Sequence, residues 1–244
     1  MCMTKEIKER VPVSRAAQAD KIAAILRDFI DDGLEELRCL EIGCGDGEIS
    51  CHLAQAVGGI WGLEVNGEAL RRNRFEPSGL LRYTQADGRR LPFEAESFDL
   101  VILAQVYEHT RGQETLSEEI YRVLKPGGIC FFSGPNRFRL IESHYFLPFL
   151  SWLPHWMSNI YLRATGRGKE FDIFPRSYWG IKHLWRRFCI IDYTWRLIKT
   201  PELFGDKERL EQMRFFKRLP TPIIKLLKPF YPNYNWILVK ENGV

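Results

Sequence analysis

The chain has 244 residues, 45% of them hydrophobic and 27% charged, which excludes a disordered segment and a disulfide-stapled miniprotein. Its 35 Lys and Arg against 31 Asp and Glu give a net charge of +4 that is unevenly shared. Residues 1–135 carry −6 and residues 136–244 carry +10, with six of the seven Trp and eight of the thirteen Pro in the basic part, so the two parts are expected to do different work.

The first fifteen residues, MCMTKEIKERVPVSR, lack the apolar core of a secretory signal. Six cysteines occur without a CxxC pair, which points to core thiols in a reducing cytoplasm rather than to disulfides or a zinc site. No window offers eighteen apolar residues free of Pro and polar runs, so a simple membrane-spanning helix is not expected.

In chain order, residues 16–30 place Ala19, Ile22, Ile25, Leu26, Phe29 and Ile30 on one helical face. A short apolar strand follows at 39–43, then a helix at 47–57, a strand at 60–64 and a helix at 67–74. Strands are predicted at 80–85 and 98–104, the latter continuously apolar as an interior parallel strand should be. An amphipathic helix over 113–124 is stopped by Pro126-Gly127-Gly128, and a fifth strand covers 129–133. This alternation predicts an α/β fold with a parallel doubly wound sheet, whose ligands bind beyond the carboxyl ends of the strands.

Those ends carry the chemistry. After the first strand comes Glu41-Ile42-Gly43-Cys44-Gly45-Asp46-Gly47, a loop whose glycines allow close backbone approach and which opens a helix. It is not the dinucleotide fingerprint, because position 48 is Glu rather than Gly. With Glu41 and Asp46 beside it, the loop suits an ammonium and a carboxylate better than a pyrophosphate. Glu64 ends the second strand, where a carboxylate can accept both ribose hydroxyls, and Asp87-Gly88 follows the third, placed to accept from an exocyclic amine. Together these positions specify an adenosine that carries an amino acid.

The combination of ExGxGxG, the acid after strand two, QADGRRLPFEAESFDLVILAQVYEH and RVLKPGG resembles the class I S-adenosylmethionine-dependent methyltransferases. More narrowly, it is similar to the subgroup that includes ubiquinone and menaquinone methyltransferases. The resemblance covers roughly 35–135. It implies a Rossmann-like sheet of seven strands with strand seven antiparallel, for which 189–198 and 235–241 are the candidates for strands six and seven. It also implies S-adenosyl-L-methionine as cofactor, with Glu41, Gly43, Gly45 and Gly47 lining the methionine moiety, Glu64 on the ribose, Asp87 on the adenine amine and Gln105 near the methionine.

Methyl transfer from a sulfonium needs alignment of the nucleophile, exclusion of water and, for an oxygen or nitrogen acceptor, removal of a proton. Tyr107, Glu108 and His109 lie just past strand four, and His109 is the preferred base, with Glu108 next; a structural cap is the competing reading. Convergence of Glu108, His109 and His144 on a metal is a minor alternative, and no metal site is expected.

A single domain over 1–244 is expected, with a cofactor-binding part at 1–135, a helical, aromatic-rich insertion or lid after strand five at 136–188, and the last strands with a basic amphipathic segment at 189–244. Residues 143–162 contain no Asp, Glu, Lys or Arg and are followed by the basic run RATGRGK. A second stretch, 215–234, mixes Ile223, Ile224, Leu226, Leu227 and Phe230 with Lys217, Arg218, Lys225 and Lys228. Both fit either a lid over the acceptor or a lid that also meets a membrane surface, whereas a nucleic-acid surface is disfavoured because no RNA-binding module is recognisable. His144, Tyr145, Asp172, Arg176 and Tyr178, with Trp179, are candidate acceptor contacts, ordinary surface roles being the alternative. The expected function is methyl transfer to a small hydrophobic or lipid-linked acceptor, in the cytoplasm or at the inner face of a membrane. The rivals are a soluble sugar or natural-product acceptor, and a cofactor-binding partner protein without catalysis.

Overall fold

The computed structural model describes residues 14–73, 75, 79–205 and 218–242. Helix α1 (Arg15–Phe29) starts at Ser14, whose hydroxyl accepts from the Ala17 amide, and buries Ala19, Ile22, Ile25 and Leu26. Strands β1 (Arg38–Ile42), β2 (Gly59–Glu64), β3 (Leu81–Gln85), β4 (Phe98–Ala104) and β5 (Leu124–Pro135) alternate with α2 (Glu48–Leu53), α3 (Gly67–Arg71) and α4 (Gln113–Val123). Leu100 to Leu103 have no exposed surface, as the continuously apolar run required.

The sheet has seven strands in the order β3-β2-β1-β4-β5-β7-β6. The first five are mutually parallel, and β7 (Asn233–Val239) runs antiparallel to both β5 and β6 (Cys189–Asp192). This is the Rossmann-like arrangement that the resemblance implied. Helices α5 (His155–Thr165), α6 (Tyr178–Leu184), α7 (Thr194–Lys199) and α8 (Thr221–Leu226) complete the described elements.

Two expectations change. The strand expected over 189–198 ends at Asp192, whose carboxylate accepts from the Thr194 amide at 2.9 Å and so starts α7 over the remaining residues. The end of the expected insertion also belongs to the main body: Ile181, Leu184 and Trp185 are buried in the same core as Phe132 and Trp236. The insertion proper therefore runs from 137 to 177 and has a small core of its own, built from Leu147, Leu150, Leu162, Phe171 and Ile173.

In the basic C-terminal stretch, Ile224 is buried and Ile223, Leu226 and Phe230 are exposed. Phe215, Phe216 and Lys217 lie outside the described residues. Among the described residues no helix is long and apolar enough to cross a membrane.

Candidate functional site

The loop after β1 is shaped by backbone that side chains rarely tolerate. Gly43, Gly45 and Gly47 have φ of +75°, +59° and +83°. A Cβ at Gly43 would collide with the Val106 side chain, and one at Gly47 would lie 2.5 Å from the Tyr83 hydroxyl. Glu64 holds this turn from the end of β2: one carboxylate oxygen accepts from the Gly45 amide at 3.0 Å and the other from Asn66 at 2.9 Å. Each oxygen keeps a second lone pair for a further donor.

Glu41 lies beneath the loop, with burial pushing its carboxyl up to about 7 against the pull of a Ser50 hydroxyl bond. Arg15, from the start of α1, pairs with Asp46 at 3.2 Å and places its guanidinium 2.9 Å from where a Gly45 Cβ would stand. It brings positive charge to a loop otherwise surrounded by Glu41, Asp46 and Glu64. The sequence offered no signal for it, since its approach depends on α1 packing against α2.

Asp87 and Gly88 stand past β3. Arg89 bonds both Asp87 oxygens, at 2.6 to 3.1 Å, and holds the acid below its ordinary range. A ligand amine at Asp87 must therefore share the carboxylate with this guanidinium. Gly88 packs close to Ile42 and Leu116, where an added Cβ would meet methyl groups at 3.0 and 3.1 Å. Gln105 has φ +59° at the end of β4, and its amide donates to Ser133 at 3.1 Å and Asn233 at 3.0 Å, tying together the ends of β4, β5 and β7.

Beyond it, Tyr107, Glu108 and His109 form a short helical turn with three different environments. Tyr107 is fully buried; its hydroxyl donates to the Pro135 carbonyl and accepts from the Arg176 amide at 3.2 Å. That phenol is a tether between β5 and the insertion. Glu108 is also fully buried, and neither of its carboxylate oxygens has a hydrogen-bond partner among the described residues. Burial pushes it up to about 7, although its own backbone amide, His144 and Arg139 pull the other way.

The His109 and His144 rings meet edge to face with centroids 5.0 Å apart. Burial, helped by His144, holds His109 below its ordinary 6.5. His144 is raised by its 2.9 Å contact with Glu142. Burial favours the neutral form of Glu142, but the His144 ring and the amides of His144 and Tyr145 outweigh it and keep the acid below its usual range. Neighbouring imidazoles are thus driven toward opposite protonation states. Glu142 escaped the sequence reading because no motif surrounds it; its spacing of two from His144 was the available signal.

The remaining acceptor candidates separate. Tyr145 donates to Asp172 at 2.7 Å, close to the histidine pair, where Asp172 also acts on His109. Arg176 is committed to Gln113 and Glu114, bracing the insertion on α4. Tyr178 points elsewhere, stacking toward Tyr234 and Trp236 of β7 with centroids 5.8 and 6.1 Å away.

Residues 40–132 match the family model described as a methyltransferase domain. Over that span the chain is similar to methyltransferases. A sterol 24-C-methyltransferase from Pneumocystis carinii is 35% identical over 96 residues, which cover 37% of this chain and 26% of that protein. A demethylmenaquinone methyltransferase from Lactococcus lactis is 28% identical over 198 residues, covering 72% and 77%. The chain spans about a quarter to two thirds of the length of the first curated relatives it matches. The fold is shared with an S-adenosylmethionine-dependent methyltransferase from Mesorhizobium loti, with a TM-score of 0.57 and 17% identity over 88% of this chain and 95% of the other.

Proposed function

We propose that the protein transfers a methyl group from S-adenosyl-L-methionine to a small hydrophobic or lipid-linked acceptor met at a membrane surface. The observation that carries the donor half is the loop itself: three left-handed glycines turn the backbone tightly at the end of β1, and Glu64 is fixed beside it with lone pairs to spare. Gly43, Gly45 and Gly47 would line the methionine part, Glu41 and Arg15 would set the charge there, Glu64 would take the ribose, and Asp87 with Gly88 the adenine. The bound cofactor supplies an activated methyl group on a sulfonium. The protein's own residues have to position the acceptor, keep water out and take up a proton.

His109 suits the last task for an oxygen or nitrogen acceptor, because its depressed basicity leaves it neutral at pH 7 and able to accept a proton. His144, braced by Glu142, holds positive charge toward neutral pH and discourages His109 from protonating before acceptor arrives.

The acceptor half rests on the outer surface of the insertion. Leu140, Ile141, Phe146, Phe149, Trp156 and Ile160 are exposed, with Phe146 60% and Trp156 64% accessible. Phe146 and Phe149 adopt φ of +52° and +56°, a costly backbone for bulky side chains. Residues 143–162 carry no Asp, Glu, Lys or Arg, yet Arg139, Arg163, Arg167 and Lys169 flank them, a pairing that complements an anionic bilayer. The sterol and demethylmenaquinone substrates named for the relatives are likewise apolar.

Incubating the protein with labelled S-adenosylmethionine and membrane lipid extract tests the reading. Label in the organic phase, accompanied by S-adenosylhomocysteine, is expected. Label confined to water-soluble metabolites would overturn the acceptor class, and cofactor binding without any transfer would favour a binding role instead.

A further inference from the structure

A second concave site lies toward the β6 edge of the sheet, between α6, β6 and the turn after α8. It encloses about 450 Å³ and is lined by Tyr178, Lys182, Arg186, Phe188, Ile190, Asp192, Lys228 and Trp236. Strand β6 stands four strand spacings from β1, roughly 19 Å at the usual interstrand separation. The glycine loop after β1 therefore does not account for this cavity.

Its chemistry is one-sided. Three cations face a single acid, and only Lys228 is paired, to Asp192 at 3.0 Å. Lys182 rests over the Tyr178 ring at 5.8 Å, and Arg186 reaches only His183, so neither has a carboxylate partner among the described residues. Lys182 and Arg186 are four apart on α6 and so share one face of the helix. Two cations without a carboxylate partner call for an anionic ligand. Phe188, Ile190 and the Tyr178 and Trp236 rings supply an apolar floor beside them, and the volume falls in the range of small-molecule sites.

We propose that this cavity binds an organic phosphate, with the phosphate held by Lys182, Arg186 and Lys228 and the uncharged part packed on Trp236 and Phe188. Two sources share that chemistry. Trp179, next in the chain to the lining Tyr178, and Leu226 and Phe230, two residues either side of the lining Lys228, are exposed, as a phospholipid headgroup would require, while a free phosphorylated metabolite would need only the cavity.

Pyrophosphate is the simplest probe, followed by calorimetry at low salt on the full chain. The wild type is expected to bind it, and K182A/R186A to weaken binding at least tenfold, with affinity for S-adenosylhomocysteine unchanged as a check on folding. Both side chains are exposed, so neither truncation opens the core. Flotation with phosphatidylcholine vesicles, with and without phosphatidic acid, separates the sources. Recruitment by phosphatidic acid that is lost in K182A/R186A identifies a headgroup site; pyrophosphate binding without such recruitment identifies a soluble phosphate ligand. Absence of pyrophosphate binding by the wild type, or equal binding by K182A/R186A, overturns the proposal, and vesicle recruitment that depends on these cations without pyrophosphate binding reveals only general surface charge.

Discussion

Replacing Glu108 with glutamine isolates the cost of ionising a carboxyl group that burial has lifted to about 7 from an ordinary 4.5. A folded-state pKa above the unfolded one contributes stability below pH 4.5 that is lost as the pH rises through 7. The shift converts to about 3 kcal/mol at 1.36 kcal/mol per unit. Glutamine does not titrate and nearly matches glutamate in shape, but its amide would also be buried without a partner and costs about 1–3 kcal/mol at every pH. The absolute stability of E108Q is therefore uninformative, and the observable is its change relative to wild type. Urea unfolding from pH 4.5 to 8 should show the difference moving in favour of E108Q by about 3 kcal/mol, most of it between pH 5 and 7. Parallel curves across that range would refute the unpartnered, proton-holding Glu108. Turnover measured on the same protein separates this cost from any role in proton transfer.

Gly45→Val places a β-branched residue at φ +59° beside the Arg15 guanidinium, so calorimetry should detect no cofactor binding while the circular dichroism spectrum is retained. His109→Ala should lower turnover by about 10²–10⁴-fold and leave cofactor affinity intact. In the wild type, the acid limb of kcat/KM should have its midpoint below 6.5, and that limb should disappear in the variant; an unchanged profile removes His109 as the base. Phe146→Ser with Trp156→Ser should reduce flotation with anionic liposomes without altering cofactor affinity, and undiminished flotation would count against the insertion as the membrane contact. Tyr107→Phe should cost about 1–3 kcal/mol in urea unfolding, because the Pro135 carbonyl and Arg176 amide lose their buried partner.

The glycine loop and the strand ends were readable because their determinants are local. A glycine needed at positive φ, an acid at a strand end and a continuously apolar strand each leave a signature within a few residues, and Gly43, Glu64 and Leu100–Leu103 occupy the positions their patterns implied. The environments of Tyr107, Glu108 and His109 were not readable, although the residues are adjacent. A buried tether, a buried acid and a half-buried imidazole differ in what is packed around them, and those neighbours come from Pro135, Glu142, His144 and Arg176. Strand six shows the same division at smaller scale: the pattern located its start, but the Asp192 side chain turned the following residues into a helix.

The sequence by itself determined the alternation of strand and helix, the glycine loop with its acidic companions, and the division into an acidic and a basic part. Only the tertiary structure decided that α6 belongs to the main core, that Arg15 closes on Gly45, that Glu142 sets the charge of His144, and that Lys182, Arg186 and Lys228 share one cavity with Trp236. The physical reason is range. Backbone conformation and hydrophobic period are fixed by near neighbours along the chain, whereas burial and the meeting of charges depend on segments brought together by folding.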